Sequence, residues 1–378
     1  MQNRFLYFEE QNMENTSGNK ENAHGGNIYE VAGEYGVDWR ELTDFSANIN
    51  PLGLSPLLKE LLAAGIDGLI HYPDAECREL RRELSDYLGV PMDRIIAGNG
   101  ASEIIRLLFE ALEPRKLYMP GPCFSEYESA ADRCGTECVF HELREENGFI
   151  LDVNRFLGDI PGDADTILIC NPNNPTSGLV PKPELLKLLD HSRERKLRVI
   201  VDEAFIELTV GGNDNSVAGW IGQYPNLFVI RSLTKILAIP GLRLGYALGE
   251  HSVIQKMGRE KLRWSVNSFA CGIGRVLKED KAYFDTTSRW LAGEKDRFYG
   301  KLAGIGKLKP YKPETNFILI KLLEERHTSA SLRELLIRKG FIIRDASNFK
   351  FLNDRFIRVA VREREANDRL VRALLEVL

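Results

Sequence analysis

The chain has 378 residues, 43% of them hydrophobic and 28% charged, which fits a globular fold whose core divides between a large and a smaller domain. The formal net charge is −5, with lysine and arginine interspersed among the acids, which excludes a basic footprint for nucleic acid or an anionic membrane. No run approaches the roughly 18 apolar residues that cross a bilayer.

Residues 1–22 join Arg4 to the acidic pair Glu9 and Glu10 and then a polar run. They lack the basic start and apolar stretch of a secretion signal, so a flexible tail is expected. The cysteines, at 77, 123, 134, 138, 170 and 271, do not make a disulfide framework. Cys134 and Cys138 have no second Cys or His pair for zinc. Free thiols in a reducing cytoplasm, and no metal, are the expectation.

From residue 45 to 250 short apolar runs alternate with amphipathic segments. Strands are expected at Asp93–Ala97, Lys116–Met119, Glu137–His141, Thr166–Cys170, Arg198–Asp202, Leu227–Arg231 and Leu244–Leu248. Helical periodicity appears at Ala101–Leu112, Phe124–Arg133 and Lys182–Arg195. This alternation predicts an α/β fold, a large domain with a mostly parallel sheet between helices. Ligands of such sheets gather at the carboxyl ends of the strands. Beyond Glu250 come longer helical stretches, then Asn316–Ile320, a helix near Ala330–Arg338, Phe341–Arg344, Phe356–Val361 and a last helix from Ala366. Residues 251–378, joined by 23–44, are expected to form a smaller α+β domain.

Four patterns follow strands. Gly98-Asn99-Gly100-Ala101-Ser102 opens a helix, where free backbone N–H groups bind phosphate. Asn171-Pro172-Asn173-Asn174-Pro175-Thr176 is a loop stiffened by proline that leaves asparagine side chains as donors. Val199 to Phe205 ends an apolar strand with Asp202 and Glu203, and a buried carboxylate needs a cationic partner. Ser232-Leu233-Thr234-Lys235 is followed by Arg243; a desolvated lysine attacks carbonyls, while a hydroxyl and a guanidinium hold an anion. Taken singly, each pattern is explained as well by a turn, a helix cap or a surface side chain.

Their order and common placement resemble the fold-type I superfamily of pyridoxal-phosphate-dependent aminotransferases. The resemblance runs from Ala23 to the C-terminus. It implies pyridoxal 5'-phosphate as cofactor, Lys235 as its Schiff-base lysine and Asp202 as the partner of its ring nitrogen. Asn174 is similar to the donor to the ring hydroxyl, and Phe124 to the aromatic stacked on the ring. Gly100, Ala101, Ser102, Ser232, Thr234 and Arg243 match the phosphate cup. Tyr72 is similar to the tyrosine that reaches the neighbouring subunit's cofactor, which implies a homodimer with shared sites. One departure stands out: the superfamily reads Asn-Pro-Thr-Gly where Ser177 here separates Thr176 from Gly178.

Within the superfamily the chain is similar to the branch of threonine-phosphate decarboxylases and histidinol-phosphate aminotransferases. The carrying residues are His24-Gly25-Gly26-Asn27, Asp44 to Gly53, Asp202 to Ile206, Ala238 to Tyr246, Trp264 to Asn267 and Arg358 to Arg362. The His-Gly-Gly-Asn start and Phe205, where the aminotransferases carry tyrosine, favour the decarboxylases. That resemblance implies a carboxy-lyase converting L-threonine O-3-phosphate to (R)-1-amino-2-propanol O-2-phosphate for the nucleotide loop of cobalamin, with O-phosphoserine giving ethanolamine phosphate. The alternative is a histidinol-phosphate aminotransferase. Arg358 matches the arginine holding the substrate carboxylate, and Arg344, His24 and Asn48 the set meeting its phosphate. A surface ion pair for Arg344 with Asp345 or Asp354 remains open at this point. A cofactor-binding DNA regulator on the same fold is disfavoured by the short segment before His24.

Overall fold

The computed structural model describes residues 24–378; the expected tail lies outside the described residues. Seven strands form the larger sheet: β1 (Ile95–Asn99), β2 (Lys116–Gly121), β3 (Glu137–Glu142), β4 (Thr166–Cys170), β5 (Arg198–Asp202), β6 (Leu227–Ser232) and β7 (Leu244–Leu248). Their order is β1-β7-β6-β5-β4-β2-β3, parallel except for β7, which runs antiparallel to both β1 and β6. The central strands are buried along almost their whole length, Arg198 at the start of β5 being partly exposed, because both faces are covered. Alternate residues go to opposite faces. Ile167, Ile169, Val199 and Val201 pack with Leu185, Leu188 and Leu189 of the helix Lys182–Glu194. Leu168, Ile200 and Ile230 pack with Ile104, Leu107 and Leu108 of the helix Gly100–Leu112.

A second, antiparallel sheet is built from β8 (Leu308–Pro310), β9 (Phe317–Leu322), β10 (Arg344–Asp345) and β11 (Phe356–Ala360), in the order β10-β11-β9-β8. Ile318, Ile320, Ile357 and Val359 pack against Phe298 and Leu302 of the long helix Lys281–Ala303 and against Leu332, Leu336, Leu370 and Leu374. Near the N-terminus, Val31, Ala32 and Leu42 pack on Ile337 and Ile342.

Most expected elements are found with their ends moved by one or two residues, and three differences bear on the site or the sheets. The first strand starts at Ile95, because Met92–Arg94 after Pro91 make a single 3-10 turn. The helix expected from Phe124 begins at Glu126, which leaves Phe124 free to face the cavity. The single strand expected at Phe341–Arg344 divides between two sheets. Phe341–Ile342 pairs with Thr43–Asp44, and Arg344–Asp345 pairs with β11, so the chain changes partner at Ile343. Cys77 and Cys271, far apart in sequence, meet with their sulfurs 3.1 Å apart; all six thiols are free.

Candidate active site

A cavity of about 780 Å³ opens at the carboxyl ends of β4, β5 and β6. It gathers thirteen of the residues singled out from sequence: His24, Asn48, Ala101, Ser102, Phe124, Asn174, Asp202, Ser232, Thr234, Lys235, Arg243, Arg344 and Arg358. Gly100 stands just behind the wall and Tyr72 lies elsewhere.

Asp202 is the last residue of β5, beside Cys170 and Ile230 on the flanking strands. Its carboxylate accepts from Tyr127 Oη at 2.7 Å and from the Ala204 N–H at 2.9 Å, neither of them a cation. Burial pushes its pKa up to about 6, against the lowering effect of these two donors. Lys235 sits in the one-turn helix Leu233–Ile236 that follows β6. Burial, then the charges of Arg243 and Arg358, bring its ammonium down to about 8, so a useful fraction of free amine exists near neutrality. The Lys235 carbonyl accepts from the Asn50 N–H at 3.0 Å. The Asn50 side chain donates to Ile236 O at 3.0 Å and to Thr287 Oγ1 at 2.9 Å, which pins this turn to the long helix.

The anion cup forms where the Gly100–Leu112 helix starts beside β6 and β7. Gly100 has φ +81, and a Cβ there would lie 2.6 Å from Arg243 Nη2, so both backbone and space require glycine. Ser232 Oγ and Thr234 Oγ1 are 2.7 Å apart at the cup floor. With the helix N-terminus and the Arg243 guanidinium they form an arrangement suited to a phosphate.

The opposite wall carries the arginines. Arg344 and Arg358 are paired residues on adjacent strands, and both are buried. Arg358 donates Nη1 to Asn174 Oδ1 and Nη2 to Ser46 O at 2.9 Å, and its guanidinium lies 5.3 Å from the Phe317 ring. Engaging Asn174 through its oxygen leaves the amide Nδ2 as the donor available to the cavity. Arg344 donates to the Asp345 carbonyl and to Asn348 Oδ1 at 2.6 Å, and lies 5.1 Å from the Phe349 ring. The surface ion pair left open for it is replaced by these contacts. Burial lowers Arg344 to about 10; burial and then the Arg344 charge lower Arg358 to about 9. Such depressed cations call for anions.

His24 reaches this cavity because Gly25 lies flat on Ser46: a Cβ at Gly25 would be 2.3 Å from Ser46 O. The His24 ring meets Phe124 at 5.7 Å and its Nε2 is 3.0 Å from Glu126 Oε1. Asn48 Oδ1 and Arg358 Nε are buried without a partner among the described residues. Tyr72 is 81% exposed and stacks on Trp264 at 4.7 Å, away from the cavity of its own chain.

Ser177 lies between Thr176 and Gly178 in the loop that carries Asn174. It takes the left-handed conformation itself, φ +64, while Gly178 does not, so the serine stands at the position where glycine's freedom would be used. Sequence reasoning did not single out Tyr127, Ser46 or Asn50 as site residues. For Ser46 and Asn50 the nearest signal was their place between Asp44 and Gly53; Tyr127, inside the expected helix Phe124–Arg133, read as core.

These residues fit pyridoxal phosphate: a cup of N–H and hydroxyl groups with one guanidinium, a buried carboxylate lacking a cation, and a lysine of lowered pKa.

The family model for aminotransferases of class I and II matches residues 40–374. A threonine-phosphate decarboxylase of Salmonella typhimurium is 36% identical over 94% of this chain and 96% of its own. A histidinol-phosphate aminotransferase of Methanothermobacter thermautotrophicus is 31% identical over 94% of each chain. Among solved structures, the histidinol-phosphate aminotransferase of Clostridium acetobutylicum superposes with a TM-score of 0.81 at 34% identity, over 88% of this chain and 98% of that one.

Proposed function

We propose that this chain, which belongs to the class I and II aminotransferase family and depends on pyridoxal phosphate, decarboxylates L-threonine O-3-phosphate to (R)-1-amino-2-propanol O-2-phosphate. The observation that carries the reading is the pairing of Arg344 with Arg358 on one wall, two buried guanidiniums of lowered pKa. A substrate with one anion at each end, a carboxylate and a phosphate, satisfies both. Histidinol phosphate brings only its phosphate, while the 2-oxoglutarate of the aminotransferase reaction brings two carboxylates, so the assay below is what separates the two readings.

In this reading Lys235 holds the cofactor, Asp202 its ring nitrogen and Asn174 Nδ2 its ring hydroxyl. Phe124 covers the ring, while Gly100, Ala101, Ser102, Ser232, Thr234 and Arg243 surround its phosphate. When bound, the cofactor supplies an electron sink for the pair left at the substrate α-carbon. Bond choice would belong to the protein, through the rotation it imposes about the substrate α-carbon. Arg358 grips the carboxylate, and Arg344, with His24 and Asn48, anchors the remote phosphate, which fixes rotation about the α-carbon. Lys235 Nζ then delivers a proton to that carbon. Phe205, 5.0 Å from the Phe317 ring, lines the cavity with a hydrocarbon face where a tyrosine would bring a hydroxyl. O-phosphoserine, lacking one methyl, is the expected second substrate, because one methyl discriminates by only about 1–3 kcal/mol.

The active unit is a homodimer in this reading. Exposed Tyr72 and Trp264 adjoin further exposed apolar residues, Ile66, Leu69, Ile70 and Leu262, a surface suited to a second copy. No helix among the described residues is long and apolar enough to cross a membrane, and a cytoplasmic location belongs to the same reading.

The test is to incubate the protein with L-threonine phosphate and, separately, with histidinol phosphate and 2-oxoglutarate. Carbon dioxide release without any 2-oxoglutarate requirement supports the decarboxylase. Glutamate formed from histidinol phosphate would replace it with the aminotransferase.

A further inference from the structure

The geometry points to Ser177 as a positioning residue: its hydroxyl clamps the Asn174 loop onto the 313–316 turn and thereby fixes Asn174 against Arg358 across the two sheets. Ser177 has no exposed surface. Its N–H donates to Asn173 O at 2.7 Å; the Glu314 N–H is shared between Ser177 O and Ser177 Oγ, each at 3.1 Å, whereas the Thr315 N–H, at 3.0 Å, is accepted by Oγ alone. Thr315 is fully buried, so this hydroxyl answers a donor that water does not reach.

The contacts close a circuit. From Thr315 the chain passes to Asn316, whose carbonyl accepts the Val361 N–H at 2.7 Å, and then to β9, where Phe317 pairs with Ala360. Arg358 lies on that same strand, β11, and its guanidinium returns to Asn174 Oδ1. On the far side of the turn, the buried Lys295 Nζ donates to Pro313 O at 2.8 Å. The turn is thus held from the large sheet by Ser177 and from the long helix by Lys295. A glycine at 177 would adopt φ +64 at no steric cost but would bring no hydroxyl. Serine accepts the backbone strain in exchange for an acceptor toward the second sheet. Because Arg358 is read as the carboxylate grip, the catalytic consequence rests on the proposed function; the clamp itself does not.

Two variants separate hydroxyl from strain. Ser177→Gly relaxes the backbone and loses the hydroxyl, whereas Ser177→Ala keeps the strain and loses the hydroxyl. With saturating pyridoxal phosphate, both are expected to bind the cofactor and to show faster amide exchange at Thr315 and Val361. In both, the KM for L-threonine phosphate rises about tenfold while kcat changes less. A Ser177→Gly protein with wild-type KM and exchange would overturn the clamp, as would a lowered melting temperature in both variants without a change in KM. Should the wild type release no carbon dioxide, the proposed activity falls, and exchange at Thr315 and Val361 alone decides the clamp.

Discussion

Tyr127 Oη donates to Asp202 Oδ2 at 2.7 Å, joining the helix after β2 to the carboxyl end of β5. Burial holds the phenol well above its ordinary pKa, so it remains a donor at every working pH. This bond opposes the burial that raises Asp202 to about 6. Tyr127→Phe removes a lowering influence, so the Asp202 pKa moves further up. If ionised Asp202 serves catalysis, the acid limb of kcat/KM shifts to higher pH in the variant, with near wild-type values on the alkaline side. Superimposable pH profiles would sink this role.

Lys235, brought down to about 8 chiefly by burial, reacts as the free amine. Capture of pyridoxal phosphate by the cofactor-free protein should therefore quicken as pH rises through about 8, followed by absorbance. Lys235→Ala should retain no borohydride-fixed label. A label mapped to another lysine would remove Lys235 from its place.

The two arginines predict different losses. Arg358→Gln should cost about 100-fold in kcat/KM for every amino-acid substrate, since it removes the carboxylate grip. Arg344→Gln should cost a similar factor for L-threonine phosphate and little for unphosphorylated L-threonine. Equal losses on both substrates from Arg344→Gln would contradict the assignment of the phosphate end.

Gly100→Ala meets Arg243 Nη2 at 2.6 Å and forces alanine to φ +81. The flexible guanidinium gives way and leaves the cup, so the protein stays folded but binds pyridoxal phosphate about tenfold more weakly. Equilibrium dialysis of the cofactor measures this, and unchanged affinity would exclude Arg243 from the cup.

Mixing tests the shared site. Tyr72→Ala and Lys235→Ala proteins, each impaired alone, should regain activity after dissociation and reassociation together. In half of each mixed dimer an intact Lys235 would then face the partner's intact Tyr72. Failure to complement, or a monomer at assay concentration, would confine Tyr72 to its own chain.

The meeting of Lys235, Asp202 and Asn174 in one cavity was legible because each sits where a local pattern ends. An apolar strand followed by a polar motif needs only short-range periodicity to be read, and in a parallel sheet such ends share one edge. Tyr127 was not legible, because an aromatic with helical spacing reads as core until the neighbouring strand shows its carboxylate. Nor was the division of Phe341–Arg344, since local pattern does not tell which of two sheets a strand joins.

By itself, the amino-acid order determined the alternation of strands and helices, the places where chemistry could gather, and the type of cofactor those motifs resemble. Tertiary structure alone decided which groups meet: Arg358 with Asn174 across 184 residues, Gly25 on Ser46, and Ser177 on the turn that leads into β9. Periodicity arises from the dihedral angles of adjacent residues, whereas these contacts arise from how two sheets pack, which no short window of sequence contains.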